Sequence, residues 1–351
     1  MIIISAGGTG GHIAPGEAIA ERFKQNGENV FLFTDDRGLQ NYKSKFADNS
    51  VRIHAYSFSR SKIKGLFFLA LGVIEAMYHI LRLRPRAIIG MGGYASAPTI
   101  IAGIILRRHV FLHEQNAVLG KVNRILASSV KTVFLSYRET KKVKANVNAV
   151  YTGMPVRKSV IDLKDHEYDL SGKIHILVTG GSQGAAIFGK YVPKALAMLP
   201  ETIKNNIKVT HQIRIEDINP TVSVYQNAKI PYDVSAFFNN MPERMAKSHI
   251  IISRGGSSTI NEAMVLGIPM IIVPLKIAAD NHQTYNARIV ADNGAGWVIS
   301  EDDFNEYTLT KRLNEIISDK DLLRRTNVMA KKLGNLDALE NIIKNITDNL
   351  K

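Results

Sequence analysis

At 351 residues and 38.9 kDa, the chain exceeds what one core ordinarily serves, since single cores stop growing near roughly 250 residues; two domains are expected. A composition of 45% hydrophobic and 22% charged residues excludes collagen-like, disordered and disulfide-scaffold classes, and the absence of cysteine excludes disulfides, thiolate zinc sites and cysteine nucleophiles. The formal charge of +14 is lopsided: residues 1–157 hold 22 Lys and Arg against 9 Asp and Glu, a net +13, and residues 158–351 hold 23 against 22, a net +1. The first half therefore calls for an acidic partner, which charge alone leaves open among nucleic acid, anionic lipid and a phosphate-bearing substrate.

The chain opens Met1-Ile2-Ile3-Ile4-Ser5-Ala6 and runs into Gly7, with no basic leader and too short an apolar run for a signal peptide, so it reads as a buried strand. Further strands are predicted at 30–34, 51–58, 87–90, 110–113 and 132–136, with amphipathic helical patterns between nearly all of them. Two apolar stretches imitate membrane spans. The first, 87–106, is broken by Gly90, Gly92, Gly93, Pro98 and Gly103; the second, 65–81, carries Glu75 and falls short of the roughly 20 residues a span needs. A soluble chain with a surface able to bind membrane is expected. After Gly153-Met154-Pro155 and a polar stretch at 164–172, the rhythm restarts with a strand at 174–179. Domains of 1–157 and 158–334 follow, with a C-terminal helix at about 335–351 packing back on the first.

Each half thus begins with a buried strand ending in a glycine-rich turn that leads into a helix: Gly7-Gly8-Thr9-Gly10-Gly11-His12 and Gly180-Gly181-Ser182-Gln183-Gly184-Ala185. Two more such loops are Gly90-Met91-Gly92-Gly93-Tyr94 and Arg254-Gly255-Gly256-Ser257-Ser258-Thr259. Strands alternating with helices give an α/β class with parallel sheets, two Rossmann-like doubly wound domains facing across a cleft. Glycine loops at strand-to-helix turns bring backbone N–H groups and a helix N-terminus toward an anion, which points to phosphate.

Common phosphate motifs do not fit. From Gly8, the last glycine of a dinucleotide fingerprint is replaced by Ile13, although Asp35 mimics its ribose-binding acid. The run from Gly184 to Lys190 resembles a P-loop but continues with Tyr191 where magnesium needs Ser or Thr. His113-Glu114 lacks a second histidine at helical spacing, and no metal site or cofactor is expected. Glu262, on a helix opening at the fourth glycine loop, is placed to accept hydrogen bonds from a ribose diol, or simply to favour a helix N-terminus. Asp280-Asn281-His282-Gln283-Thr284-Tyr285-Asn286 suits sugar hydroxyls. His12 and Glu114, within His113-Glu114-Gln115-Asn116, are the acid–base candidates. The segment 60–69 joins Arg60, Lys62 and Lys64 to Leu66, Phe67, Phe68 and Leu69, which reads as an interfacial anchor on anionic lipid or as a core helix with a basic face. Nucleic acid is disfavoured because no aromatic platform accompanies the charge.

Over nearly its whole length the chain resembles the MurG family of GT-B glycosyltransferases. The motifs are Gly7 to His12, Gly90-Met91-Gly92-Gly93-Tyr94, His113-Glu114-Gln115-Asn116, Gly153-Met154-Pro155-Val156-Arg157, Gly180 to Ala185 and Asn281 to Ala287. The resemblance implies an inverting, metal-free transfer of N-acetylglucosamine from UDP-GlcNAc to the C4 hydroxyl of MurNAc in undecaprenyl-pyrophosphoryl-MurNAc-pentapeptide, at the cytoplasmic face of the plasma membrane. It implies that Thr9, Gly10 and Gly11 line the substrate cleft, and that Asn116 and Arg157 contact the donor. It also implies that the loop of Ser182, Gln183 and Gly184 holds the donor diphosphate, that Phe238 meets uracil through its backbone, that Glu262 binds ribose and that Gln283 binds the sugar. His12 is the expected base, with Glu114 its rival or orienting partner. The competing readings are a related glycolipid synthase, a UDP-GlcNAc epimerase and, in a different class, an NAD-dependent oxidoreductase.

Overall fold

A computed structural model describes residues 1–7, 10–42, 49–56, 61–181 and 184–350. They form two compact units, Met1–Arg157 with Leu336–Lys351, and Lys158–Asn335.

The first unit is built on seven parallel strands, β1 (Ile2–Ser5), β2 (Val30–Thr34), β3 (Ser50–Arg52), β4 (Ala87–Gly90), β5 (Val110–Glu114), β6 (Thr132–Leu135) and β7 (Ala149–Tyr151), in the order β3-β2-β1-β4-β5-β6-β7. Ile2 and Ile4 enter one core with Ile13, Ile19 and Phe23, while Ile3 enters the opposite core with Ile80 and Ile100. Successive side chains of a strand point to opposite faces, so a strand covered on both sides must be apolar throughout, as β1 is. The strand order reverses between β1 and β4. In such sheets ligands bind beyond the carboxyl ends of the strands at this reversal.

The run at 51–58 leaves the sheet early. The Ile53 amide still donates to the Thr34 carbonyl at 2.8 Å, but the His54 amide donates to the Glu75 carboxylate at 2.9 Å, and a helix side chain thereby replaces the ladder; 57–60 lie outside the described residues. Strand β7 carries no clear sequence signal, because its three residues are half-buried and form no long apolar run. The helix holding Glu75 spans Lys62–Leu83; Ser61 caps its N-terminus by accepting from the Lys64 amide at 3.4 Å, and Arg84 stops it in the left-handed region at φ 48°. It is therefore longer than the apolar stretch 65–81, and its Ile63–Leu83 portion is long and apolar enough, by length and composition, to cross a membrane. At Gly72 this helix presses on the preceding segment so closely that a Cβ would stand within van der Waals overlap of the His54 carbonyl oxygen.

The C-terminal helix Ala338–Asp348 packs on the first unit. Ile342, Ile343 and Ile346 join the core of Ile2, Ile4 and Phe23, each buried aliphatic contributing about 1.5–3 kcal/mol, and Arg22 pairs with Glu340.

The second unit carries six parallel strands, β8 (Ile174–Thr179), β9 (Ile207–Gln212), β10 (Tyr232–Ser235), β11 (Ile250–Ser253), β12 (Met270–Ile272) and β13 (Gly296–Val298), in the order β10-β9-β8-β11-β12-β13. Its core gathers Ile174, Ile176, Val178, Phe188, Val192 and Tyr225. The reversal here falls between β8 and β11, which pair directly.

Candidate active site

In the first unit the start of the helix Gly10–Gln25 meets the loops after β4 and β5 at the strand reversal. His12 lies in the first turn of the helix Gly10–Gln25. Its Nδ1 stands 2.9 Å from the Met91 carbonyl oxygen and 3.0 Å from Gln115 Oε1. Both neighbours are acceptors, so Nδ1 carries the hydrogen and Nε2 is left with its lone pair. Among the described residues Nε2 makes no hydrogen bond. Gly92 and Gly93, at φ 79° and 75°, turn the chain beneath the ring, and a Cβ on Gly93 would meet Nε2 at 3.4 Å. A bare imidazole nitrogen at the carboxyl edge of the sheet is the arrangement a general base requires.

Glu114 ends β5 but serves the opposite side. Its Oε1 accepts from the amide and side chain of Asn116 at 3.0 and 3.2 Å, and its Oε2 accepts from the Gly120 amide at 2.8 Å and Asn123 Nδ2 at 2.9 Å. Four donors on one buried carboxylate organise the 115–123 loop and thereby hold Asn116, while the hydrogen bonds of His12 go to Met91 and Gln115. This geometry supports positioning rather than proton transfer. Sequence reading gave no signal for Gly120 and Asn123 as its partners, because the loop that returns them to Glu114 is a tertiary feature. His113, on the face opposite Glu114's neighbours, is wholly buried, and desolvation pushes it down to about 4, so it is neutral. Asp35, the residue favouring a dinucleotide site, is bound instead by the Tyr94 hydroxyl at 2.8 Å and the Gly38 amide at 3.0 Å. Gly11 follows Gly10 at the helix start, and Arg157, half-buried, ends the first of the unit's two chain segments. Thr9 lies outside the described residues.

In the second unit the loops after β11 and β12 lie side by side, and β8 is the next strand beyond β11. Gly181 and Gly184 take φ of 77° and 68° before the helix Ala186–Ala197, and Gly256 precedes the helix Ser257–Leu266; among the described residues neither N-cap position, Ala185 or Gly256, makes a side-chain cap bond, and the N-terminus of each helix faces this edge. Ser182 and Gln183 lie outside the described residues. Glu262 is buried in the Ser257–Leu266 helix. Gln283, in the helix His282–Asp292, uses Oε1 to accept from the amides of Gly255 at 3.1 Å and Leu275 at 2.9 Å, so it ties the β11 and β12 loops together; among the described residues its Nε2 makes no hydrogen bond. Asn286 donates to the Gly255 carbonyl at 3.0 Å. Phe238 is buried after β10 with the Arg244 guanidinium 3.8 Å from its ring centre, two strand positions from β8. Among the described residues no group of three His, Asp or Glu side chains is placed to hold a metal ion.

The profile of the glycosyltransferase family 28 N-terminal domain matches residues 2–135, and that of the family 28 C-terminal domain matches residues 175–345. The UDP-N-acetylglucosamine--N-acetylmuramyl-(pentapeptide) pyrophosphoryl-undecaprenol N-acetylglucosamine transferase of Paramagnetospirillum magneticum is 39% identical, over 97% of this chain and 94% of that protein. The chain belongs to the MurG family. A second member with the same name, from Rhodospirillum rubrum, is 38% identical over 96% of this chain and 89% of its own length. The crystal structure of Acinetobacter baumannii MurG superposes with a TM-score of 0.81 at 26% identity, covering 99% of both chains. Membership in the MurG family spans both units, and the C-terminal profile runs on into the helix Ala338–Asp348 that packs on the first.

Proposed function

We propose that this chain transfers N-acetylglucosamine from UDP-GlcNAc to the C4 hydroxyl of MurNAc in undecaprenyl-pyrophosphoryl-MurNAc-pentapeptide, with inversion, in peptidoglycan synthesis. The near full-length match to transferases of that name, at 38–39% identity, carries the reading, and the bare Nε2 of His12 supplies its chemistry. The acceptor hydroxyl gives its proton to His12 Nε2 as its oxygen bonds to C1 of GlcNAc; the bond from C1 to the diphosphate breaks, and its electron pair leaves with UDP. Charge growing on the diphosphate meets the amides at the Gly184 loop and the start of the Ser257–Leu266 helix, with Arg157 adding a cation, the electrostatic contribution that dominates such transfers. Glu262 holds the ribose, the Gln283 amide the sugar and the Phe238 backbone the uracil, while Gly10, Gly11 and Asn116 line the reacting end.

The acceptor is a lipid, and the first unit carries a surface suited to reach it. Along the helix Lys62–Leu83, Ile63, Leu66, Phe67, Ile74, Tyr78 and Leu81 are exposed, Ile63 to 84% and Phe67 to 65%. Their spacing of three, four and seven residues makes one apolar stripe, flanked in sequence by Lys64, Arg82, Arg84 and Arg86. The opposite face, with Gly72, Ala76 and Ile80, is packed against the unit, and Glu75 holds the His54 ring at 2.6 Å. A spanning orientation would strip both contacts, which supports a helix lying on the membrane surface with this stripe against the lipid. Because this helix runs into β4, its N-terminal end sits at the same sheet edge as His12. The competing synthase, epimerase and oxidoreductase readings lack support of this kind.

The deciding experiment is radiolabelled transfer from UDP-GlcNAc to a lipid-pyrophosphoryl-MurNAc-pentapeptide in excess EDTA. Labelled disaccharide lipid is expected; release of an epimerised sugar nucleotide, or no transfer by folded protein, would overturn the reading.

A further inference from the structure

We propose that Gln115 is a positioning residue that presents His12 with Nε2 unprotonated, and that the carbonyls of Met91 and His113 set which way the Gln115 amide faces. The inference rests on the reading of His12 as base. Gln115 is buried. Its Nε2 donates to the Met91 carbonyl at 2.8 Å and lies 3.1 Å from His113 Nδ1 and 3.3 Å from the His113 carbonyl, while its Oε1 lies 3.0 Å from His12 Nδ1. Turning the amide over would bring Oε1 against two carbonyl oxygens, those of Met91 and His113, and set an N–H donor against the Nδ1–H of His12. The turned amide would favour the other tautomer of His12, with the hydrogen on Nε2, which cannot accept a proton. The Met91 carbonyl receives both His12 and Gln115, which locks the loop after β4 to the end of β5 through the same pair.

The other titratable groups at this edge are already engaged: Glu114 is held by its four donors and Asp35 by Tyr94 and Gly38. Substitution at Gln115 therefore acts on His12 itself. In the wild-type protein, 15N-labelled histidine should show His12 with a hydrogen on Nδ1 and none on Nε2; a hydrogen on Nε2 would overturn the proposal. Gln115→Met should lower kcat roughly ten- to a hundredfold with the KM for UDP-GlcNAc changed less than about threefold, and should move the acid limb of kcat/KM to lower pH, because an acceptor for the imidazolium is lost. Gln115→Glu should move the same limb upward by about one pH unit. Opposite movements in the two variants are not produced by general loosening of the fold; an unmoved limb in both would overturn the assignment. Full activity in His12→Ala would instead overturn the reading of His12 as base, and the labelled spectrum of the wild type would still decide the tautomer.

Discussion

Gln283 Oε1 accepts the amide hydrogen of Gly255 at 3.1 Å, across a contact so close that a Cβ on Gly255 would overlap the Gln283 backbone. A residue expected to touch the donor sugar is thus also the clamp between two loops of the second unit. Gln283→Ala should leave the Gly255 and Leu275 amides unpaired, costing about 1–3 kcal/mol, while Gln283→Glu keeps the acceptor and loses only the Nε2 donor. The first variant should lower Tm and raise the KM for UDP-GlcNAc together; the second should raise KM with Tm nearly unchanged. Equal Tm in both variants and the wild type would show that the clamp contributes nothing.

Glu262→Ala should raise the KM for UDP-GlcNAc roughly ten- to a hundredfold, the effect of losing a charge-assisted pair of about 1.5–3 kcal/mol. The KM for the lipid acceptor should stay within about twofold. Steady-state kinetics with each substrate varied in turn checks this, and unchanged donor affinity in folded protein removes Glu262 from the ribose.

Stability should fall in mild acid. Burial pushes His113 and His175 down to about 4 and His211 down to about 3. In the unfolded chain each takes up a proton near the ordinary value of about 6.5. Between that value and the folded ones the unfolded state binds more protons, so unfolding free energy decreases as pH drops, by up to about 1.4 kcal/mol per pH unit for each histidine. Urea unfolding at pH 7.5, 6.0 and 5.0 should give steadily lower midpoints, and His211→Asn, if folded, should flatten the trend.

The membrane stripe calls for a different set of substitutions from those the sequence suggests. Phe68 is half-buried, stacked 5.9 Å from both His54 and Tyr56, so replacing it damages packing. Ile63, Phe67 and Ile74 are exposed. Changing these three to Ser should weaken sedimentation with anionic vesicles and slow transfer to a long-chain acceptor, leaving a water-soluble acceptor analogue within about twofold. Added salt should weaken the wild type as well, since each Lys or Arg near the surface contributes about 1 kcal/mol that salt screens. Parallel losses on both acceptors would assign the stripe to folding alone.

By itself the sequence determined the class and most of the elements. Runs such as 174–179, short, rich in Ile, Leu and Val and ending at glycines, read as strands covered on both faces, and the glycines after them mark the turns where a backbone must reverse or approach closely. The motif strings carried the family in the same way, because each is a local pattern of residue types. Tertiary structure decided what the side chains at those motifs do. His113, Glu114, Gln115 and Asn116 are four consecutive polar residues, and nothing local tells that Glu114 turns to Gly120 and Asn123 while Gln115, just past the end of β5, turns to His12 and Met91; partners brought in by the fold fix each role. The early end of β3 and the exposed stripe on the helix Lys62–Leu83 have the same origin. Helical periodicity gives a face, but only the packed unit decides which face is covered, here because Gly72 and Glu75 meet His54 and leave Ile63 and Phe67 outside.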